Sequence, residues 1–145
     1  MHSRSAVTLL ELMTVLSLVG IILAIAMPRA AGYMDAIRVA GAARETMSMF
    51  VTARHTAIAR SRRASVLVDP AAARLELRVE DTTILRRDLH EGYGVRLTST
   101  RDSMSYDPVG LGYGAANLRI IVSRGKAADT VYVSRVGRVR RARGP

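Results

Sequence analysis

Few residues in this 145-residue chain have the types and spacing that catalysis needs. The histidines, His2, His55 and His90, are far apart, and none has a second ligand-type residue at metal-binding spacing. Glu80 and Asp81 are adjacent, so in a strand they would point to opposite faces and could not work as an acid and base pair. The absence of cysteine excludes thiol chemistry and disulfides. The sequence therefore predicts a protein that is not an enzyme and uses no metal or cofactor.

A carboxylate inside an apolar run is the first functional candidate. Glu11 is the one ionisable residue among the twenty-four between Arg4 and Arg29, in a run rich in Leu, Ile, Val and Met. A helix rising about 1.5 Å per residue needs about 20 residues to cross the roughly 30 Å apolar layer of a bilayer, so this run is long enough to insert. An ionised carboxylate there costs several kcal/mol unless a cation or a proton neutralises it. We therefore expect Glu11 to have a function.

A cluster of arginines near the other end is the second candidate. The chain has 22 Lys and Arg against 12 Asp and Glu, a formal net charge of +10. The cluster comprises Arg135, Arg138, Arg140, Arg141 and Arg143. A guanidinium can hold a phosphate bidentately, and a basic surface favours anionic partners such as DNA or lipid headgroups. In a strand, Arg138 and Arg140 would share one face and Arg141 would lie on the other. These five are candidate DNA-binding residues, with a solvated basic tail as the alternative.

The residues around Glu11 resemble the prepilin motif of type IV pilins and type II secretion pseudopilins. In that motif a short basic leader ends at Gly and is followed by Phe-Thr-Leu-(Leu/Ile)-Glu and an apolar helix. Residues 8–11, Thr-Leu-Leu-Glu, match it, whereas Ala6 stands in place of the Gly and Val7 in place of the Phe. The resemblance implies that residues 1–6 form a leader, that prepilin peptidase cuts between Ala6 and Val7, and that Val7 is then N-methylated. Because Ala is the smallest change from Gly, we expect cleavage to survive.

Gly20 and Pro28 fall at the helix-softening positions of the motif. Pro28 removes one helical hydrogen bond, and Gly20 lowers helix propensity by about 1 kcal/mol. A removable signal peptide is an alternative interpretation, since Ala24-Ile25-Ala26 has the small-x-small pattern of a signal peptidase site. The acid within the run, its length and the nearby Pro28 favour the prepilin interpretation. The basic leader then keeps the N-terminus in the cytoplasm and places the rest of the chain in the periplasm.

These candidates must be positioned by a long helix and a β-rich region. Apolar residues at three- and four-residue steps predict an amphipathic helix over residues 29–62. They are Tyr33, Ile37, Ala40, Met47, Phe50, Val51 and Ile58. From residue 64 the period becomes two, which predicts strands over residues 65–69, 74–79, 82–86, 95–100, 118–123 and 130–134.

Three details of this β-rich region are more specific. The first two strands form a hairpin around Asp69-Pro70, and Leu75, Leu77 and Val79 face inward. The last two strands pair antiparallel across a polar loop that contains Gly125 and Asp129. Residues 90–94 and 106–114 form turns or loops, because both stretches are rich in glycine.

Three further segments resemble the GspH/FimT branch of the pseudopilins. Residues 52–60 are similar to its A-R-x-x-A-I-x-R helix end, residues 106–110 to its F-x-P-x-G turn, and residues 134–140 to its closing G-R-V/x-R strand. The resemblance implies an α+β, type IV pilin-like fold. Its parts are a leader (1–6), a transmembrane or filament-core helix (7–28) and a periplasmic domain (29–145). In that domain the helix 29–62 packs on an antiparallel β-sheet (64–141).

The function that the resemblance implies is that of a minor pseudopilin or pilin in a type II secretion system or type IV pilus. Such a subunit crosses the inner membrane once, meets prepilin peptidase, and joins other pilins in a filament, where Glu11 pairs with the N-terminal amine of a neighbour. One alternative is a DNA-binding minor pilin that serves DNA uptake through the G-R-V-R strand. Another is an unrelated, signal-anchored periplasmic binding domain.

Overall fold

The computed structural model describes residues 8–113 and 117–144. The elements are α1 (Leu9–Arg60), β1 (Ala64–Asp69), β2 (Arg74–Val79), β3 (Thr82–Asp88), α2 (Leu89–Tyr93), β4 (Arg96–Ser99), β5 (Ser103–Tyr106), β6 (Gly112–Tyr113), β7 (Leu118–Arg124), β8 (Ala127–Val133) and β9 (Val139–Arg143). The chain divides into two compact units, Met1–Met34 and Asp35–Pro145. The predicted α+β class, a long N-terminal helix with antiparallel sheets, is confirmed.

Two antiparallel sheets stand where one was predicted. The first has the strand order β3-β2-β1-β5-β6 and the second the order β4-β7-β8-β9. The hairpin of β1 and β2 and the pairing of β7 with β8 are confirmed. Leu75, Leu77 and Val79 are buried, as the alternating pattern predicted. Side chains from both sheets and from α1 form one core.

The buried face of α1 differs from the prediction. Of the expected apolar stripe, Ile37, Val51 and Ile58 are 44–48% exposed. The buried residues are Val39, Ala40, Ala42, Ala43, Thr46, Met49, Phe50, Ala53 and Ala57. This face is turned from the predicted one by roughly 100°, the rotation of a single residue. Alanine explains the difference, because its small side chain brings the helix backbone close to the sheets although it contributes little hydrophobicity.

Asp129 was predicted in a loop and instead lies within β8. The turn between β7 and β8 is only Gly125-Lys126, and Gly125 has φ +55°. Asp129 is 3% exposed; its Oδ2 accepts a hydrogen bond from Arg141 Nε at 2.8 Å and lies 2.7 Å from Arg141 Nη2 in a salt bridge. The ion pair neutralises the carboxylate, so an aspartate can occupy a buried strand position.

Residues 90–94, predicted as a turn, belong mostly to the short helix α2. The carboxylate of Asp88 accepts a hydrogen bond from the backbone N–H of Glu91 at 2.9 Å, which caps the helix. This hydrogen bond, and secondarily one from Arg74, lowers the pKa of Asp88. Gly94 ends the helix in the left-handed conformation, with φ +62°. The glycine therefore acts as a helix cap.

Candidate functional site

Glu11 lies in the first turn of α1. Thr8 caps this turn: its Oγ1 accepts a hydrogen bond from the backbone N–H of Glu11 at 3.2 Å. The hydroxyls of Thr14 and Ser17 donate to backbone carbonyls of the same helix at 2.8 Å, so they are satisfied within the chain. Glu11 is different, because the described residues place no cation within ion-pair distance of its exposed carboxylate. The helix dipole favours a negative charge at this end of α1. The carboxylate of Glu11 can still form an ion pair with a cation from another molecule.

The helix that follows Glu11 exposes a long apolar surface. Its large apolar side chains from Leu9 to Met27 are between 45% and 76% exposed. By length and composition, α1 is the one helix in residues 8–113 and 117–144 that could cross a membrane, and its most apolar window has a mean hydropathy of 2.5. A surface of this kind is unusual for a monomer in water.

Of the four remaining N-terminal candidates, the structure describes two. Gly20 and Pro28 both lie within α1, and neither ends the helix. No heavy atom comes within 4 Å of a Cβ placed on Gly20, so contacts within the chain do not require glycine there. Ala6 and Val7, the predicted cleavage and methylation residues, lie outside the described residues.

The five arginines near the C-terminus occupy different environments. Arg141 is turned toward Asp129, as described above, and its side chain is 24% exposed. Arg140 lies on the opposite face of β9 and is exposed, as is Arg138 just before the strand. Arg143 is exposed at the end of β9, beside Ala36 and Val39. Arg135 is also exposed, and its carbonyl oxygen accepts a hydrogen bond from Gly112 N–H at 2.7 Å.

Arg138 and Arg140 line a common groove of about 550 Å³. The other side chains that matter in this groove are Tyr132, Ser134 and Asn117. Sequence reasoning missed Tyr132, because its position opposite Arg140 depends on the register of β8 and β9. The groove offers two guanidinium groups, an aromatic ring and small polar groups, which is chemistry suited to an anion with a flat apolar part.

Arg54 joins the three segments that resemble the GspH/FimT branch. Its Nε donates a hydrogen bond to the carbonyl oxygen of Gly110 at 3.0 Å. A Cβ placed on Gly137 would lie 2.7 Å from Arg54 Cδ, and one placed on Gly110 would lie 3.1 Å from Arg54 Nε. Both glycines also have positive φ, at +77° and +84°. The helix end, the β5–β6 turn and the turn before β9 therefore meet at one arginine, so these three segments have a structural role.

Tyr106 occupies the aromatic position of the turn motif and is fully buried. Its hydroxyl has no hydrogen-bond partner among the described residues. Burial raises the pKa of Tyr106 to about 12, against a smaller opposing effect of the positive charge of Arg54.

Of the residues considered for catalysis, His2 lies outside the described residues. His55 is exposed on α1, and the Nδ1 of His90 lies 3.4 Å from the carbonyl oxygen of Val95. Glu80 has a positive φ of +52° in the turn after β2, and its carboxylate pairs with Arg62 at 2.8 Å. Within residues 8–113 and 117–144, no three His, Cys, Asp or Glu side chains come together as a metal site would require.

Comparisons with known proteins gave structural likenesses. No protein-family model and no curated protein sequence matched the chain. A crystal structure of the type IV minor pilin FimU from Pseudomonas aeruginosa is similar with a TM-score of 0.62 and 14% sequence identity. The match covers 74% of this chain and 88% of FimU. The minor pseudopilin EpsH, from the type 2 secretion system of Vibrio cholerae, is similar with a TM-score of 0.58 and 13% identity over 73% of this chain and 97% of EpsH. The chain therefore has a type IV pilin-like fold.

Proposed function

We propose that this protein is a minor subunit of a pilin-like filament, in a type IV pilus or a type II secretion system. The observation that carries the proposal is the exposed apolar helix from Leu9 to Met27, with one carboxylate at its start, in a chain of pilin-like fold. Such a surface is stable in a bilayer or among the helices of neighbouring subunits. The subunit is anchored in the inner membrane with its N-terminus in the cytoplasm and residues 29–145 in the periplasm.

Processing of the N-terminus is the first test. We expect prepilin peptidase to cut between Ala6 and Val7, because the Thr-Leu-Leu-Glu register places that bond where the motif is cleaved. Mass spectrometry of the protein from membranes should give a chain that begins at Val7 and carries one extra methyl group. An Ala6→Gly variant, which restores the glycine of the motif, should be cut at least as completely. A mature chain that begins at Met27 would instead establish a removable signal peptide.

Glu11 provides the second test. Its carboxylate finds no cation among the described residues, so a neighbouring subunit is the proposed source, through its N-terminal amine. Glu11→Ala should leave the protein in the membrane fraction but reduce its recovery with sheared filaments by about tenfold or more, the effect of roughly 1.4 kcal/mol. Ser17→Ala is the matched control, because that hydroxyl is satisfied within its own helix. Filament recovery of Glu11→Ala at the wild-type level would exclude the interchain ion pair.

A second candidate function is binding of nucleic acid during DNA uptake. The observation that favours it is the exposure of Arg138 and Arg140 on one groove, whereas Arg141 is taken up by Asp129. Contacts of this kind would fall on phosphates, so binding would be weak, independent of sequence and strongly reduced by salt. The partner in this case is double-stranded DNA.

Gel shifts with a DNA duplex at several salt concentrations test this candidate. Arg138→Gln with Arg140→Gln should weaken binding and reduce the salt slope by about 2, because each phosphate contact contributes about 0.9. Arg38→Gln with Arg60→Gln is the matched control: both arginines are exposed on α1, and neither has an ion-pair partner in residues 8–113 and 117–144. Equal weakening by both pairs would indicate a diffuse basic surface, and an inert wild type would leave only the filament role.

A further inference from the structure

The outer face of the second sheet carries a row of three exposed side chains from three neighbouring strands. Arg119 of β7 is the register partner of Tyr132 of β8, and Tyr132 is the register partner of Arg140 of β9. Directly opposite residues on one face have Cβ atoms about 4.5–5.5 Å apart. Tyr132 therefore lies between two arginines on an exposed sheet face.

The ring of Tyr132 is free to take a ligand. It is 44% exposed, which is high for a tyrosine in the middle strand of three. In residues 8–113 and 117–144 the cation–π contact found joins Arg63 to Tyr113 at 4.0 Å, so no guanidinium of that part covers the face of Tyr132. The groove of about 550 Å³ that contains this ring also contains Arg138 and Asn117, and its size suits a nucleotide.

The charge of this face has one sign. The strands β4, β7, β8 and β9 contain a single acidic residue, Asp129, which is buried on the inner side and paired with Arg141. No carboxylate of these strands therefore competes for Arg119 or Arg140. Thr98 and Arg96 of β4 extend the polar outer face beyond β7.

A partner that is contacted only through its phosphates would bind the arginines and make no contact with the ring of Tyr132. In a duplex the base faces are covered by their neighbours, whereas in a single strand they are open to stack on an aromatic ring. Arginines beside the ring can then hold the phosphates before and after the stacked base. An aromatic ring with guanidinium groups on both sides thus matches the repeating chemistry of a single strand better than that of a duplex.

We propose that this face binds single-stranded nucleic acid, with one base stacked on Tyr132 and flanking phosphates on Arg119, Arg138 and Arg140. The inference rests on the second proposed function and changes it in two ways: a single strand replaces the double-stranded partner, and Arg119 and Tyr132 join the site. The stacked base gives affinity without sequence preference, since every base has a flat face.

Fluorescence anisotropy with the full chain in micelles of an uncharged detergent tests the proposal. The probes are a labelled oligothymidylate of about 15 nucleotides and its duplex with oligodeoxyadenylate, at one fixed salt concentration. Tyr132→Leu keeps an apolar side chain on the strand and removes the aromatic face. It should weaken binding of the single strand on the order of tenfold and change binding of the duplex less than about twofold. Tyr132→Phe should bind the single strand as the wild type does.

Tyr113→Leu is the matched control, because Tyr113 is an exposed tyrosine, 57%, on the other sheet. It should leave binding of both probes unchanged. Tyr132→Leu could instead weaken binding of both probes equally, or of neither, while the Arg138 and Arg140 variant still loses binding. The proposed stacking site would then be wrong, and only the phosphate contacts would remain. If the wild type binds neither probe, the second proposed function fails together with this inference. Unchanged circular dichroism and thermal midpoints of the variants confirm that each comparison is between folded proteins.

Discussion

Arg140 and Arg141 are neighbours in the sequence and have opposite environments. Arg140 is exposed on the groove, whereas Arg141 neutralises the buried Asp129. The pleat of a strand predicts that the two point to opposite faces, and that much followed from the sequence. Which face is buried did not follow, because the partner Asp129 looked like a loop residue in a polar stretch. The proposed DNA-binding set therefore loses Arg141 and gains Arg119, whose place beside Tyr132 depends on strand register.

Tyr106, the aromatic residue of the turn motif, shows a second kind of feature that the sequence does not predict. The resemblance places an aromatic at position 106, and the structure buries it fully. The motif position has Phe, and this chain has Tyr, so a hydroxyl enters an apolar core without a partner among the described residues. Leaving a buried polar group unsatisfied costs about 1–3 kcal/mol. The sequence predicted a turn or loop here, and only the structure shows that Tyr106 is buried and that its hydroxyl is unpaired.

Tyr106→Phe should raise the free energy of unfolding by about 1 kcal/mol at neutral pH, because it removes the unpaired hydroxyl. The pKa of Tyr106 is raised to about 12 in the folded chain, against 10.0 for an unperturbed tyrosine. Below pH 10 both states keep the phenol neutral. Between pH 10 and 12 only the unfolded state ionises, so this tyrosine's contribution to stability is lost as pH rises. The advantage of the variant should therefore grow by about 2 kcal/mol by pH 12.

Urea unfolding of the two proteins in detergent, followed by circular dichroism at pH 7 and pH 11, measures both effects. Tyr113→Phe is the control, because its ring is exposed and lies under Arg63. Other groups that titrate at high pH are common to the variant and the wild type and cancel in the difference. A Tyr106→Phe protein less stable than the wild type at pH 7 would show that the hydroxyl makes a favourable contact.

The sequence predicted the secondary-structure features that depend on local residue pattern. It missed the features that depend on contacts with other segments of the chain. The hairpin of β1 and β2 has alternating residues and a clear turn, and it forms at the expected positions. The predicted buried face of α1 is about one residue out of phase. The spacing of the large apolar residues defines that predicted face, whereas the observed face consists largely of alanines. Ile37, Val51 and Ile58, left exposed by that rotation, are available for contacts with other subunits in the proposed filament.

The turns around Arg54 link the two sheets, which the sequence had predicted as a single sheet. Gly112 N–H donates to the carbonyl oxygen of Arg135, which ties β6 of the first sheet to the turn that follows β8 of the second. Arg54 fills the space left by the two positive-φ glycines, Gly110 and Gly137. The sequence predicted a turn at Gly110 but placed Gly137 in the closing strand, whereas Gly137 lies in the turn before β9. The close approach of an arginine from a distant helix to both glycines is a tertiary contact that no local pattern contains.

For the whole molecule, charge and apolarity are separated along the chain. Residues 35–145 contain 20 of the 22 Lys and Arg and 11 of the 12 Asp and Glu, a formal net charge of +9. Among the residues that the structure describes, the buried hydrophobic core lies entirely within this part, whereas the large apolar residues from Leu9 to Met27 are exposed. The boundary between the two compact units falls between Met34 and Asp35.

A fragment that begins at Arg29 should fold without the apolar segment and stay monomeric in water, because its core is complete and its net charge opposes association. It retains Asp35, whose Oδ1 accepts a hydrogen bond from Arg124 Nε at 2.7 Å. Arg124 also donates to the carbonyl oxygens of Tyr93 and Gly94, so this arginine ties α1 to the end of α2 and to β7. Size-exclusion chromatography with light scattering should give a monomer without detergent, and thermal unfolding should be cooperative.

A shorter fragment that begins at Arg38 sharpens this prediction, because it lacks Asp35 and keeps every buried residue of α1. The lost ion pair is about a third exposed, so the shorter fragment should be less stable by on the order of 1 kcal/mol and remain folded. Arg124→Gln in the longer fragment should cost more than the truncation, because it also removes the hydrogen bonds to Tyr93 and Gly94. A fragment from Arg29 that aggregates, or unfolds without a transition, would mean that the apolar segment takes part in folding and that membrane insertion and domain stability are not separable.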